Sequence, residues 1–138
     1  MKFVLDASVA VKWVLPEIDT PRAQALRDDF RNHIHELIAP DIFPVEVAHA
    51  LTRAERRGLI KPREADPKLA DVLVTAPDLH SHLPLLRRAV EISSQWRIGV
   101  YDCLYIALAE REQCQIVTAD LRLGSIGFPS VILLANLP

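Results

Sequence analysis

Apolar residues gather in short unbroken runs that polar or turn-forming residues close. Phe3-Val4-Leu5 ends at Asp6, Leu37-Ile38-Ala39 at Pro40-Asp41, and Ile116-Val117 at Thr118; Val131-Ile132-Leu133-Leu134 lies near the end. Runs this short, bounded by turn signals, predict strands buried on both faces. They place strands over 2–5, 37–39, 115–118 and 131–134, with 78–80 as a brief extended piece. Between them the apolar spacing becomes helical. After Asp6-Ala7-Ser8 an apolar segment runs until Pro16 stops it. A helix is expected from Thr20 to Arg31, because Thr20-Pro21 reads as an N-cap with proline at the first helical position. Another spans 43–57, with Gly58 as its C-cap. Further helices are expected over 63–74, with Pro67 in or near the first turn, over 82–96 and over 102–112.

The helix over 102–112 carries Leu104-Tyr105-Ile106-Ala107-Leu108-Ala109 and is apolar on nearly every side, which assigns it to the interior. Asp120 is expected to open a loop. Strands that alternate with helices predict a parallel sheet covered on both faces. The expectation is one α/β domain over residues 1–138, with no linker, repeat or low-complexity segment.

Composition narrows the function classes. The chain has 138 residues, 50% hydrophobic and 25% charged, a globular mixture. No apolar run reaches the ~18 residues of a membrane helix, and Phe3-Val4-Leu5 closes too soon for a secretory signal. A cytoplasmic protein with no membrane partner is expected. Cys103 and Cys114 lack metal-site spacing and read as structural thiols. The net charge of −2 argues against a protein that holds nucleic acid mainly by a basic surface.

Most of the 18 acidic residues stand among other charges on expected exposed faces. Four do not. Asp6 and Asp120 follow expected strands, so in a parallel sheet they project at the carboxyl edge, where ligand sites of open α/β folds gather. Glu46 borders the apolar face of its helix, three residues after Phe43 and four before Ala50. Asp102 opens the most apolar helix. Taken singly, each has a plain structural reading. Asp6 and Asp102 can cap helices, Asp120 can form a turn, and Glu46 can pair with Arg53.

Their joint placement carries more. Two carboxylates ~4 Å apart repel by roughly 4 kcal/mol at an effective dielectric near 20. A converging set therefore either shifts its pKa values upward or recruits a cation, and no base stands beside Asp6 or Asp102 in sequence. An all-oxygen pocket suits Mg²⁺ or Mn²⁺, and such ions serve phosphodiester hydrolysis.

Val4-Leu5-Asp6-Ala7-Ser8, Pro44-Val45-Glu46-Val47, Val100-Tyr101-Asp102-Cys103-Leu104-Tyr105-Ile106-Ala107-Leu108-Ala109 and Val117-Thr118-Ala119-Asp120 resemble, in order and spacing, the motifs of PIN-domain nucleases. Within that family the chain is most similar to the VapC-type toxins of toxin–antitoxin pairs. The resemblance implies a three-layer α/β/α sandwich with a short, mainly parallel central sheet. It implies Asp6, Glu46, Asp102 and Asp120 as metal ligands, with Ser8 and Thr118 as hydroxyls that orient them. It further implies Mg²⁺- or Mn²⁺-dependent cleavage of single-stranded or looped RNA to a 5′-phosphate and a 3′-hydroxyl. A homodimer is implied, as is inhibition by a cognate antitoxin in a heterotetramer or larger assembly. The chain departs from many relatives at Cys103, where they carry alanine, and at Leu121-Arg122-Leu123.

Other readings fit less well. A haloacid-dehalogenase-like phosphatase needs a second Asp where Ser8 stands, and a receiver domain needs a Lys after a late strand. A PIN-like module that has lost activity and only docks a partner is the alternative of a different class. His33-x-His35 and His80-x-His82 lack a third ligand nearby and read as surface or capping residues. Trp13 and Trp96 read as core or dimer interface. Arg53, Arg56, Arg57 and Lys61 read first as a solvated helix end; with Lys12 and Arg97 they are the candidate phosphate contacts.

Overall fold

The computed structural model describes residues 1–138. Five parallel strands form one sheet: β1 (Lys2–Leu5), β2 (Glu36–Pro40), β3 (Asp78–His80), β4 (Gln115–Thr118) and β5 (Val131–Leu133), in the order β3-β2-β1-β4-β5. The sheet is wholly parallel. β1 lies at its centre because Phe3, Val4 and Leu5 are all buried and need cover on both faces. Val4 pairs with Ile38 on one side and Ile116 on the other. The chain builds outward from β1 to β3, then returns to the far side of β1 for β4. The strand order therefore reverses between β1 and β4, which opens a crevice at their carboxyl ends.

Helices flank the sheet: α1 (Ala7–Val11), α2 (Thr20–Arg31), α3 (Phe43–Arg56), α4 (Ala65–Val74), α5 (Leu86–Trp96), α6 (Val100–Glu112) and α7 (Leu121–Gly124). The apolar α6 lies against β1, β2 and β4 and under α5, so every residue from Cys103 to Ala109 is buried. Each large aliphatic side chain so enclosed contributes ~1.5–3 kcal/mol. α1 packs on α3 and β4, and α3 on α4. Both tryptophans meet apolar neighbours. Trp13 is buried with its Nε1 donating to Ala23 O at 2.9 Å, and Trp96 packs on Phe128 at 4.7 Å between centroids.

Several boundaries move. The helix expected over 82–96 begins as a 3-10 turn at Leu83–Leu85, with Pro84 inside it, before α5 follows. α6 starts at Val100 rather than at residue 102, with Gly99 in the capping position. Where Asp120 was expected to open a loop, it instead caps the short α7. α7 then lies close on β5: a Cβ at Gly124 would come within 2.6 Å of Leu133 Cγ, so only glycine fits there without displacement.

Candidate metal centre

Asp6 sits where β1 ends. Its backbone N–H donates to Val117 O at 3.1 Å and extends the β1–β4 ladder by one residue. The side chain does not cap α1. Its Oδ2 instead accepts from Ser8 Oγ at 2.6 Å and from Thr118 Oγ1 at 2.8 Å. Those hydroxyls are themselves held: Ser8 Oγ accepts the Ala119 N–H and Thr118 Oγ1 accepts the Asp120 N–H. One carboxylate is thus clamped by two strand ends and the start of α1. Burial pushes the Asp6 pKa upward, the two hydroxyls pull it back, and Asp120 adds repulsion.

Glu46 lies in the first turn of α3, half-buried, and makes no ion pair with Arg53 or any other base. Its Oε1 is enclosed and has no hydrogen-bond partner, and neither has the buried Tyr105 hydroxyl from α6. Burial raises the Glu46 pKa to about 7; the Tyr105 hydroxyl, close by but outside hydrogen-bond geometry, opposes this, and Asp6 and Asp102 reinforce it. Asp102 is the third residue of α6, inside the first turn, so its helix-cap reading gives way to Gly99. Burial, then Asp6 and Asp120, push its pKa up to about 6, while Arg122 draws it down.

Asp120 satisfies the turn-forming reading with one oxygen only: Oδ1 accepts the Arg122 N–H at 2.9 Å. Arg122 is the residue at these acids that sequence reasoning did not single out. One of its guanidinium nitrogens, Nη2, stands 3.9 Å from Asp102 Oδ2 and 3.7 Å from Asp120 Oδ2. Sequence proximity to Asp102 could not reveal it, since nineteen residues intervene; its place two after Asp120 was the available signal.

The fold thus brings all four acids into one electrostatic neighbourhood at the β1–β4 crevice, with Ser8 and Thr118 beneath them. As the side chains stand, no three are drawn onto a common point that would chelate an ion. Three observations fit a hard cation nonetheless: an oxygen-only donor set, an enclosed carboxylate oxygen without a partner, and three carboxyl groups raised by burial and mutual repulsion.

Residues set aside at the outset lie elsewhere. His35 contacts Asp29, His82 pairs with Asp41 at 2.7 Å, and His80 meets Arg111. Cys103 is buried and both cysteines are free thiols. Arg53, Arg56, Arg57 and Lys61 are exposed around the end of α3 and pair with no acid.

Comparison with known proteins adds a second line. The PIN domain family model matches residues 3–129. Ribonuclease VapC3 of Pyrobaculum aerophilum is 31% identical over 134 residues, spanning 96% of this chain and 98% of the relative. Among solved structures, PAE2754 from Pyrobaculum aerophilum superimposes with a TM-score of 0.72 at 19% identity, over 98% of this chain and 93% of that one. A toxin–antitoxin complex from Klebsiella pneumoniae contains a chain similar at a TM-score of 0.64 and 12% identity, over 96% of this chain and 97% of that one.

Proposed function

The chain belongs to the PIN-domain family, and from that premise we propose that it is a cytoplasmic, metal-dependent endoribonuclease, the toxin of a VapBC-type pair. The observation that carries the reading is the unanswered negative charge at the β1–β4 crevice. Asp6, Glu46 and Asp102 are all pushed upward, and Glu46 Oε1 is enclosed without a partner. A fold retains such a cluster against the cost of repulsion where a cation offsets it.

Asp6, Glu46, Asp102 and Asp120 would hold Mg²⁺ or Mn²⁺. When bound, that ion supplies the positive charge that makes water nucleophilic near neutral pH and stabilises the phosphate under in-line attack. Ser8 and Thr118 direct the Asp6 carboxylate by bonding Oδ2; partners of this kind govern how accurately a ligand is aimed. Tyr105, buried behind Glu46, closes the floor against bulk water. Cleavage of the bond to the 3′-oxygen leaves a 5′-phosphate and a 3′-hydroxyl. The relatives' names, together with the Klebsiella complex, support RNA as substrate and an antitoxin as inhibitor. A second copy of the chain is the expected partner in a homodimer, joined by antitoxin into a heterotetramer or larger assembly.

The test is cleavage of a fluorogenic RNA by purified protein with Mg²⁺, with EDTA, and with Asp6→Asn. Activity should require the metal and fall by ~10²-fold or more in the variant, while the far-ultraviolet circular dichroism stays unchanged. Equal cleavage by Asp6→Asn would reject the assignment. No Mg²⁺-dependent cleavage in the wild type would leave an interaction module.

A further inference from the structure

Among the bases of this chain, Arg122 alone stands within ion-pair distance of any of the four acids. Its anchorage is unusual. The backbone N–H donates to Asp120 Oδ1, which holds the residue at the rim of the site, yet the side chain is 79% exposed. The close packing of Gly124 on Leu133 holds α7, and with it Arg122, against β5. The guanidinium stands 3.7 and 3.9 Å from its two carboxylates. By contrast, Arg27 meets Asp71 at 3.0 Å and Arg88 meets Glu110 at 2.8 Å. Arg122 is therefore held by charge, with no short hydrogen bond, at the open mouth of the crevice.

We propose that Arg122 is a tethered counter-cation of the metal site. It partly neutralises Asp102 and Asp120 while no divalent ion is bound, and it is released by the ion to take a phosphate of the RNA. This rests on the metal-centre reading. Once a divalent cation neutralises Asp102 and Asp120, the guanidinium loses its attraction to them and is repelled by the ion. It still lies at the rim, where its fixed fork of N–H donors matches phosphate oxygens bidentately. The chain's net charge is −2, so a positive group at the mouth also lessens repulsion of an incoming polyanion.

The two roles predict opposite signs for one substitution. Arg122→Gln removes a competitor for the carboxylates, so Mg²⁺ measured by calorimetry should bind about two- to fivefold more tightly. It also removes a phosphate contact. A labelled single-stranded RNA oligonucleotide, followed by fluorescence anisotropy with Ca²⁺ in place of Mg²⁺ to slow cleavage, should bind about tenfold more weakly. Melting in EDTA should be little changed, because the side chain is exposed and its backbone bond to Asp120 survives. Unchanged or weaker Mg²⁺ binding by Arg122→Gln overturns the proposal, and so does unchanged oligonucleotide affinity. In either case Mg²⁺ binding by the wild type leaves the metal-centre reading standing. Failure of the wild type to bind Mg²⁺ at all sinks that reading first, and this inference with it.

Discussion

Two regions of the molecule handle charge away from bulk water in opposite ways. Arg27 on α2 is buried, and the structure answers its guanidinium fully. It donates to Thr75 Oγ1, Asp71 O and Asp71 Oδ1 and lies over the Trp13 ring at 4.8 Å. Those bonds tie α2 to α4 and to the residues after α1. At the β1–β4 crevice, four acids have one exposed guanidinium among them, near Asp102 and Asp120 only, and one carboxylate oxygen has no partner. The first arrangement stabilises the fold as it stands. The second destabilises it unless a further cation arrives, which is what separates a structural charge from a binding one.

The sharpest way to break this contrast is to delete the satisfied charge. Arg27→Ala removes the α2–α4 link and the cover over Trp13, and should cost ~3 kcal/mol, seen as a fall of about 10 °C in melting temperature. RNA cleavage per folded molecule should stay unchanged. A loss of activity without a loss of stability would show that Arg27 belongs functionally to the crevice.

A smaller effect comes from Thr118→Val, which keeps the buried shape but removes the hydroxyl between Asp6 and Asp120. Metal affinity or cleavage should drop ~10-fold or somewhat more, while stability in EDTA falls by only ~1 kcal/mol. Equal Mg²⁺ affinity would mean that the hydroxyl merely fills space.

The remaining test is of pH dependence. Asp102 and Glu46 have ordinary values of 3.8 and 4.5 in the unfolded chain, against about 6 and about 7 in the folded one. The native state therefore holds more protons between these limits, so these groups make stability fall as pH rises from about 4 to about 7. Without metal the melting temperature should decline across that window. Saturating Mg²⁺ should flatten or reverse the decline, because the ion favours the ionised forms. A slope that Mg²⁺ does not alter would detach the raised carboxyls from metal binding.

Much of the architecture is legible in the sequence. Strands β1 and β4 fall where the apolar runs placed them, and α2 covers the expected Thr20 to Arg31, although Asp19 rather than Thr20 takes the cap position. The four acids were singled out by their position at boundaries between apolar elements and loops, and the fold brings them close enough to repel one another. Short elements were harder. α7 has four residues, and its start depends on Asp120 capping Arg122, a bond with little imprint on hydrophobic spacing. The first turn of α6 was missed because Gly99 caps without a side chain.

Periodicity and motif order by themselves determined the class of fold and the central buried helix, and singled out the acids proposed for the site, since burial on two faces and helical spacing are written in consecutive residues. Only the tertiary structure decided which groups answer those acids. Ser8 and Thr118 both close on a single oxygen of Asp6, Glu46 is left with an orphaned oxygen, and Arg122 reaches back to Asp102. Such pairings depend on distances of a few ångströms between residues far apart in the chain. Hydrogen bonding falls away within that range and Coulomb energy weakens with distance, so no local pattern can encode them.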